Sequence, residues 1–187
     1  GFGAFTEVYP DGQVLSRETG VSRSYGTNPY VGYDQIDAPF LFRGELDRRL
    51  PPTEPVLSGF VGGQGIAYPF SILSQEGVIN DTVADVALVA FWQGGAASAL
   101  GGSVIDESRD IGWAALYRRT VDDRTLTLEI DDAGTIRDAE TGSEWNAFGQ
   151  AISGELTGTQ LERQVAAPHY WFAWAAFDVE TIVYGVE

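Results

Sequence analysis

The side chains able to do chemistry fall in a few short stretches. His169 is the only histidine, and it sits among Tyr170, Trp171 and Trp174. An imidazole in that setting could act as a general base or bind a metal. Residues 138–158 read DAETGSEWNAFGQAISGELTG and combine an acid, a Thr-Gly-Ser turn, a tryptophan and four glycines. Two nucleophilic triads can be written, Ser98–His169–Asp138 and Ser143–His169–Asp81. Ser98 lies in GGAASALGG, a small-residue setting that could expose a hydroxyl. Residues of these types occur in almost any domain, however, and no G-x-S-x-G elbow is present. The structural reading of both serines is therefore the stronger.

Metal and ligand readings use the same residues. His169, Glu76 and Asp138 are the metal candidates, but one histidine without cysteine is a thin set for zinc. Asp138, Glu140 and Glu144 could offer oxygens to Ca²⁺, yet no D-x-D-x-D-G loop surrounds them, and a solvated acidic turn accounts for them. No metal or cofactor is assigned. Thr141, Ser143 and Trp145 alternate, so an extended segment would set them on one face. A tryptophan flanked by hydroxyls and acids resembles a polar ligand pocket, for instance for a sugar; the alternative is a core tryptophan beside a hydroxyl-rich turn. Tyr68, Trp171 and Trp174 complete the ligand-binding candidates. Asn80-Asp81-Thr82 matches a glycosylation sequon, and the same residues can simply fix a turn.

Composition bounds what these groups can serve. The 187 residues are 44% hydrophobic and 12% aromatic, which excludes disorder. The net charge is −16, all 11 basic residues are arginine, and a polyanionic partner such as nucleic acid or an anionic membrane surface is disfavoured. Without cysteine there is no disulfide or thiolate site. No run of about 18 apolar residues exists to span a bilayer. The sequence lacks methionine even at position 1, so we expect the chain to begin inside a longer product.

The elements that must position these residues are mostly strands. Residues 1–12 form an aromatic segment ending in a Pro-Asp-Gly turn, and 14–17 is a short strand candidate. Residues 18–55 read as a long irregular arm in which Phe40, Leu41 and Phe42 need burial. Residues 56–60 and 66–68 form a hairpin about a glycine turn, and 69–75 is a helical turn or two opened by proline. Strands follow at 78–83 and 86–92, the second almost wholly apolar. Residues 111–119 and 125–130 read as a hairpin about Asp122-Asp123. Short strands at 161–165 and 181–186 close the chain. The expected fold is mainly β and antiparallel, a barrel or a sandwich, with one or two short helices and a long N-terminal arm. Residues 1–55 would be the tail of a preceding repeat plus the arm, and 56–187 the β domain.

The repeat is suggested by an echo: AFTEVYPDGQVL at 4–15 lies over AWAAFDVETIVY at 173–184 without a gap. Further stretches, namely YPDGQVLSRETG at 9–20, YGTNPYVGYD at 25–34, DRRLPP at 47–52, AYPF at 67–70, VINDTV at 78–83, residues 137–158 and YWFAW at 170–174, resemble the DUF3179 family, a domain of unknown function. The resemblance implies a two-halved parent, of which this chain would be the C-terminal half. Family copies commonly carry a His-Glu pair where this chain has Glu76-Gly77, and Cys-Pro-Leu-Cys where it has Gln93-Gly94-Gly95-Ala96. Any metal or redox role of those residues would be lost here.

These readings lead to three expectations. The first is a non-enzymatic binding or structural module of a larger extracytoplasmic assembly, contacting a protein partner or the missing upstream half through Tyr30, Tyr33, Phe40 and Phe42. The second is a hydrolase or metal-assisted enzyme, which requires Tyr68, Asp81, Asp138, Ser143 and His169 to converge. The third is a degenerate copy of an active upstream half.

Overall fold

The computed structural model describes residues 2–40 and 42–186. Leu41 lies outside them. The described residues form thirteen strands, three short α-helices and two single 3₁₀ turns. Two compact units are present, Gly1–Ile36 with Gly94–Trp113, and Asp37–Gln93 with Ala114–Glu187.

The first unit holds α1 (Phe2–Val8) and a run of polar contacts between residues 26–34 and 97–109. Asn28 N–H donates to Ser103 O at 3.0 Å, and Gly32 N–H donates to Leu100 O at 2.7 Å. Its 3₁₀ turns are Tyr33–Gln35 and Ile105–Glu107.

In the second unit, β1 (Pro55–Val61) and β2 (Gln64–Pro69) make a hairpin. Gly62 and Gly63 turn it with φ of 57° and 85°, the left-handed pair that a two-residue hairpin loop needs. The helix α2 (Phe70–Glu76) follows Pro69 directly. Next comes the hairpin of β3 (Val78–Val83) and β4 (Val86–Gln93), extended by β5 (Trp113–Arg118). The small hairpin of β6 (Thr120–Val121) and β7 (Arg124–Thr125) precedes a four-stranded sheet. That sheet is made of β8 (Leu128–Ile130), β9 (Ile136–Asp138), β10 (Glu144–Trp145) and β11 (Ala151–Ser153). Finally β12 (Ala166–Tyr170) pairs with β1, α3 (Trp171–Phe177) follows it, and β13 (Ile182–Val183) runs parallel to β2.

Strand alternation assigns β1 and β2 to two cores. Leu57, Val61, Ile66 and Tyr68 point one way, into a core shared with Leu73 of α2 and with Ile79, Leu88 and Leu116 of the neighbouring sheet. Val56 and Ala67 point the other way, against Trp171 and Ala175 of α3. Each fully buried leucine or isoleucine here contributes about 1.5–3 kcal/mol. β12 lies close to β1 because Gly59 has no side chain; a Cβ there would strike the carbonyl of Val165.

Several expectations are corrected. Residues 2–8 are helical, and no strand forms at 14–17. Only β6 and β7 flank Asp122-Asp123; β8 pairs with β9 instead, so the long hairpin is cut short. The strand expected at 161–165 lies at 166–170, and the aromatic run beyond it is α3. The closing strand is two residues long and parallel. Among the described residues the sheets are open, and no closed barrel forms.

Gly59→Ala should destabilise the protein by about 1–3 kcal/mol, because a backbone carbonyl must move to admit the methyl. Urea unfolding measures it, and an unchanged midpoint would disprove the close-approach argument.

Candidate functional site

The glycine-rich stretch around Asp138 is a buried polar pin. Asp138 is 1% exposed and Ser143 is fully buried. The Asp138 carboxylate accepts the Thr141 N–H at 2.6 Å, the Thr141 hydroxyl at 2.9 Å and the Trp145 indole N–H at 2.9 Å. Ser143 Oγ lies 2.7 Å from Thr141 Oγ1 and accepts the Leu156 N–H at 3.0 Å. The two strands β9 and β10 bring these groups together, and Gly142 closes the turn with φ 69°. Trp145 is 2% exposed, so the expected alternation has produced a core tryptophan and not a ligand wall.

A second cluster lies between sheets. Tyr68 Oη donates to Asp81 Oδ2 at 3.0 Å. Burial, and then the charge of Asp81, push the Tyr68 phenol well above its ordinary range, so it stays protonated. Asn80 beside it is spent on structure. Its Nδ2 donates to Leu128 O at 2.7 Å and its Oδ1 accepts Leu128 N–H at 3.0 Å, which ties β3 to β8. The sequon asparagine thus has both ends of its amide occupied.

Ser98 belongs to the first unit and is 1% exposed. Its hydroxyl donates to Asp34 Oδ2, which also accepts from Arg109 at 2.8 Å. Burial raises the Asp34 pKa, but the bonds from Ser98 and Arg109 and the arginine's charge outweigh it and hold the carboxyl below its ordinary value. A carboxylate so stabilised is a poor base, and the serine beside it is a structural donor. In the same unit Asp110 accepts N–H groups from Gly95, Gly112 and Ala96 at 2.7, 2.8 and 2.9 Å.

Residues 47–52 hold α3 and the chain after it. Arg49 clamps Asp47 through Nε and Nη2, donates to Thr181 O at 2.8 Å, and lies 5.0 Å above the Trp171 ring. The hydrogen bonds from Arg49 hold the Asp47 carboxyl below its usual range. Trp171 is fully buried and donates to Asp47 O at 3.1 Å.

His169 stands apart from all of these. It pairs with Val56 across β1 and β12, on the face opposite Tyr68. Its Nδ1 is 2.8 Å from Ser58 Oγ, and its ring stacks on Trp174 at 5.5 Å and 27°. Phe60 packs on Trp174 at 5.2 Å with the rings tilted by 51°. Together with Val165 and Ala167 they line an open trough of about 390 Å³. It occupies the part of the sheet face that α3 leaves bare. Phe60 is 56% exposed.

The structure therefore joins Tyr68 to Asp81, and Asp138 to Thr141, Ser143 and Trp145, and His169 to Trp174. It does not join the three sets, and Ser98 lies in the other unit. Among the described residues no three His, Asp or Glu side chains gather to hold a metal. Phe60, Ser58 and Val165 went unnoticed in the sequence. The signal was the alternation in VLSGFV at 56–61, which sets Ser58 and Phe60 on one face. Of the partner residues, Tyr30 and Phe40 are 57% and 52% exposed, while Phe42 packs on Phe172 at 5.3 Å; Tyr33 is partly buried.

A family model described as a protein of unknown function, DUF3179, matches residues 1–181. The chain belongs to the DUF3179 family. No curated protein and no solved structure matches it. DUF3179 membership fixes no activity, so any role must be argued from the geometry. In this chain Gly77 O accepts the Trp92 N–H at 2.9 Å. This sets Glu76-Gly77 beside the end of β4, where the glutamine-glycine segment begins. No helix among the described residues is long and apolar enough to cross a membrane.

Asp138→Ala should cost about 3 kcal/mol in urea unfolding, since three donors lose a buried carboxylate; a loss no larger than that of an ordinary surface substitution would refute the pin. Asp34 has a depressed pKa, so its contribution is complete above the unfolded value near 3.8 and is lost as pH falls through the folded value. Protection of the Gly32 and Ser98 amides from hydrogen exchange, relative to their intrinsic rates, should drop below about pH 4 in the wild type. Asp34→Asn should show faster exchange at neutral pH and no such acid step.

Proposed function

We propose that this chain is a non-enzymatic binding module whose ligand-facing surface is the trough of Phe60, His169 and Trp174. One observation carries this reading: those aromatic groups lie together on an uncovered sheet face, whereas the groups a hydrolase would need lie apart. Asp138 and Ser143 are saturated by their own turn. Ser98 donates to Asp34. His169 is bonded to Ser58 and not to any of them. A general base must reach the proton it removes; the one hydroxyl His169 reaches is that of Ser58, which is 1% exposed and so poorly placed to attack a substrate.

The trough has the size and lining of a small-ligand site, with apolar walls and few polar groups. Of Tyr30, Tyr33, Phe40 and Phe42, expected to meet a protein partner or an upstream half, Tyr30 and Phe40 are exposed and remain available for that role.

An NMR screen of small planar compounds should perturb the amides of Ser58, Phe60, Ala167 and His169 together. Phe60→Ala should weaken the best hit about tenfold, the worth of one aromatic contact. Turnover of an ester or amide substrate that is abolished by Ser143→Ala or His169→Ala would replace this reading with the enzyme.

A further inference from the structure

The chemistry of the trough narrows what it takes. Its walls are built from the rings of Phe60, Trp174 and His169, which pack on one another, and no arginine is among its lining residues. Near the Phe60–Trp174 pair, outside the lining of the trough, lies a carboxylate with one oxygen that has no donor. Asp178 directly follows α3 and rests on Gly65, which is paired with Phe60 across β1 and β2. A methyl on Gly65 would fall on Asp178 Oδ2. That oxygen is buried and accepts no hydrogen bond, and among the described residues no arginine is bridged to Asp178. Trp174 is fixed in place by its indole N–H, which donates to Thr181 Oγ1 at 2.9 Å.

Aromatic faces attract cations through their quadrupole, most strongly for tryptophan. The chain's charge of −16 and its lack of lysine add a negative field over the whole surface. A neutral hydrocarbon would gain only from contact area. A cation with an apolar shell gains from area, from the ring faces and from the field. We infer that the trough binds a small organic cation, an alkylated ammonium group on an apolar body. This rests on the reading of the trough as the ligand site. Its volume of about 390 Å³ suits one small molecule.

Choline and its neutral carbon isostere dimethylbutanol test it, titrated into the full chain and followed by NMR. Choline should saturate, shift the amides of Ser58, Phe60 and His169, and bind about tenfold more tightly than the isostere. Its affinity should fall as salt is added. Phe60→Ala, at a half-exposed position that should leave the fold intact, should weaken both probes. Asp178→Asn should weaken choline alone. Equal binding of both probes, lost in Phe60→Ala, would overturn the cation chemistry and leave the trough as a ligand site. Absence of binding by either probe would overturn both. An arginine-containing tripeptide that binds the same residues more tightly than choline would overturn the small-molecule occupant.

Discussion

Strand β1 faces a core on each side along most of its length, Phe60 excepted, and most of the second unit follows from that constraint. Successive side chains of a strand point in opposite directions, so seven residues must serve two cores at once. Leu57 and Val61 serve one, and Val56 serves the other. The sheet that contains β1 therefore needs a cover on each side. The β3–β4–β5 sheet and α2 cover one face, and α3 covers part of the other. The trough exists because α3 has seven residues. Its Trp174 meets Phe60 but leaves that ring 56% exposed.

Most polar side chains that look chemical in the sequence are spent on holding turns and strands. A buried carboxylate without partners is costly, so Asp138 is surrounded by donors and Asp34 takes two on its Oδ2, although its Oδ1 has none. The same logic makes Asn80 a rung between β3 and β8. What it leaves over is instructive. His169 and Trp174 sit where water reaches, and Asp178 keeps one oxygen without a donor. Function is argued most securely from such remainders, because folding alone does not account for them.

Much of the second unit was legible in the sequence. Gly62-Gly63 and Ala84-Asp85 announce two-residue turns between apolar runs, and Pro69 announces α2. The elements that were misread are those fixed by partners distant in the chain. Residues 128–130 alternate well enough to pair with either neighbour, and only the turn at 131–135 delivers β9 to them. Residues 171–177 are aromatic and carry no helical stripe, but Arg49 and the β1–β2 sheet give one face of a helix somewhere to pack. For the site, Trp174 and His169 were named from their types. Phe60 was not, because its exposure depends on the length of a helix more than 100 residues away.

That separation also orders the folding of the chain. The β1–β2 and β3–β4 hairpins join neighbours in sequence and can form early. Both outer strands of the first sheet come last: β12 reaches β1 across 111 residues, as at Ser58 and His169, and β13 closes against β2 later still. Until residues 166–183 arrive, the hairpin presents two bare strand edges and one uncovered apolar face to the medium. During synthesis this is the interval in which pairing with another chain competes with completion of the fold. Pro168 in β12 then leaves the finished sheet one backbone donor short, which makes strand addition less favourable once that strand is in place.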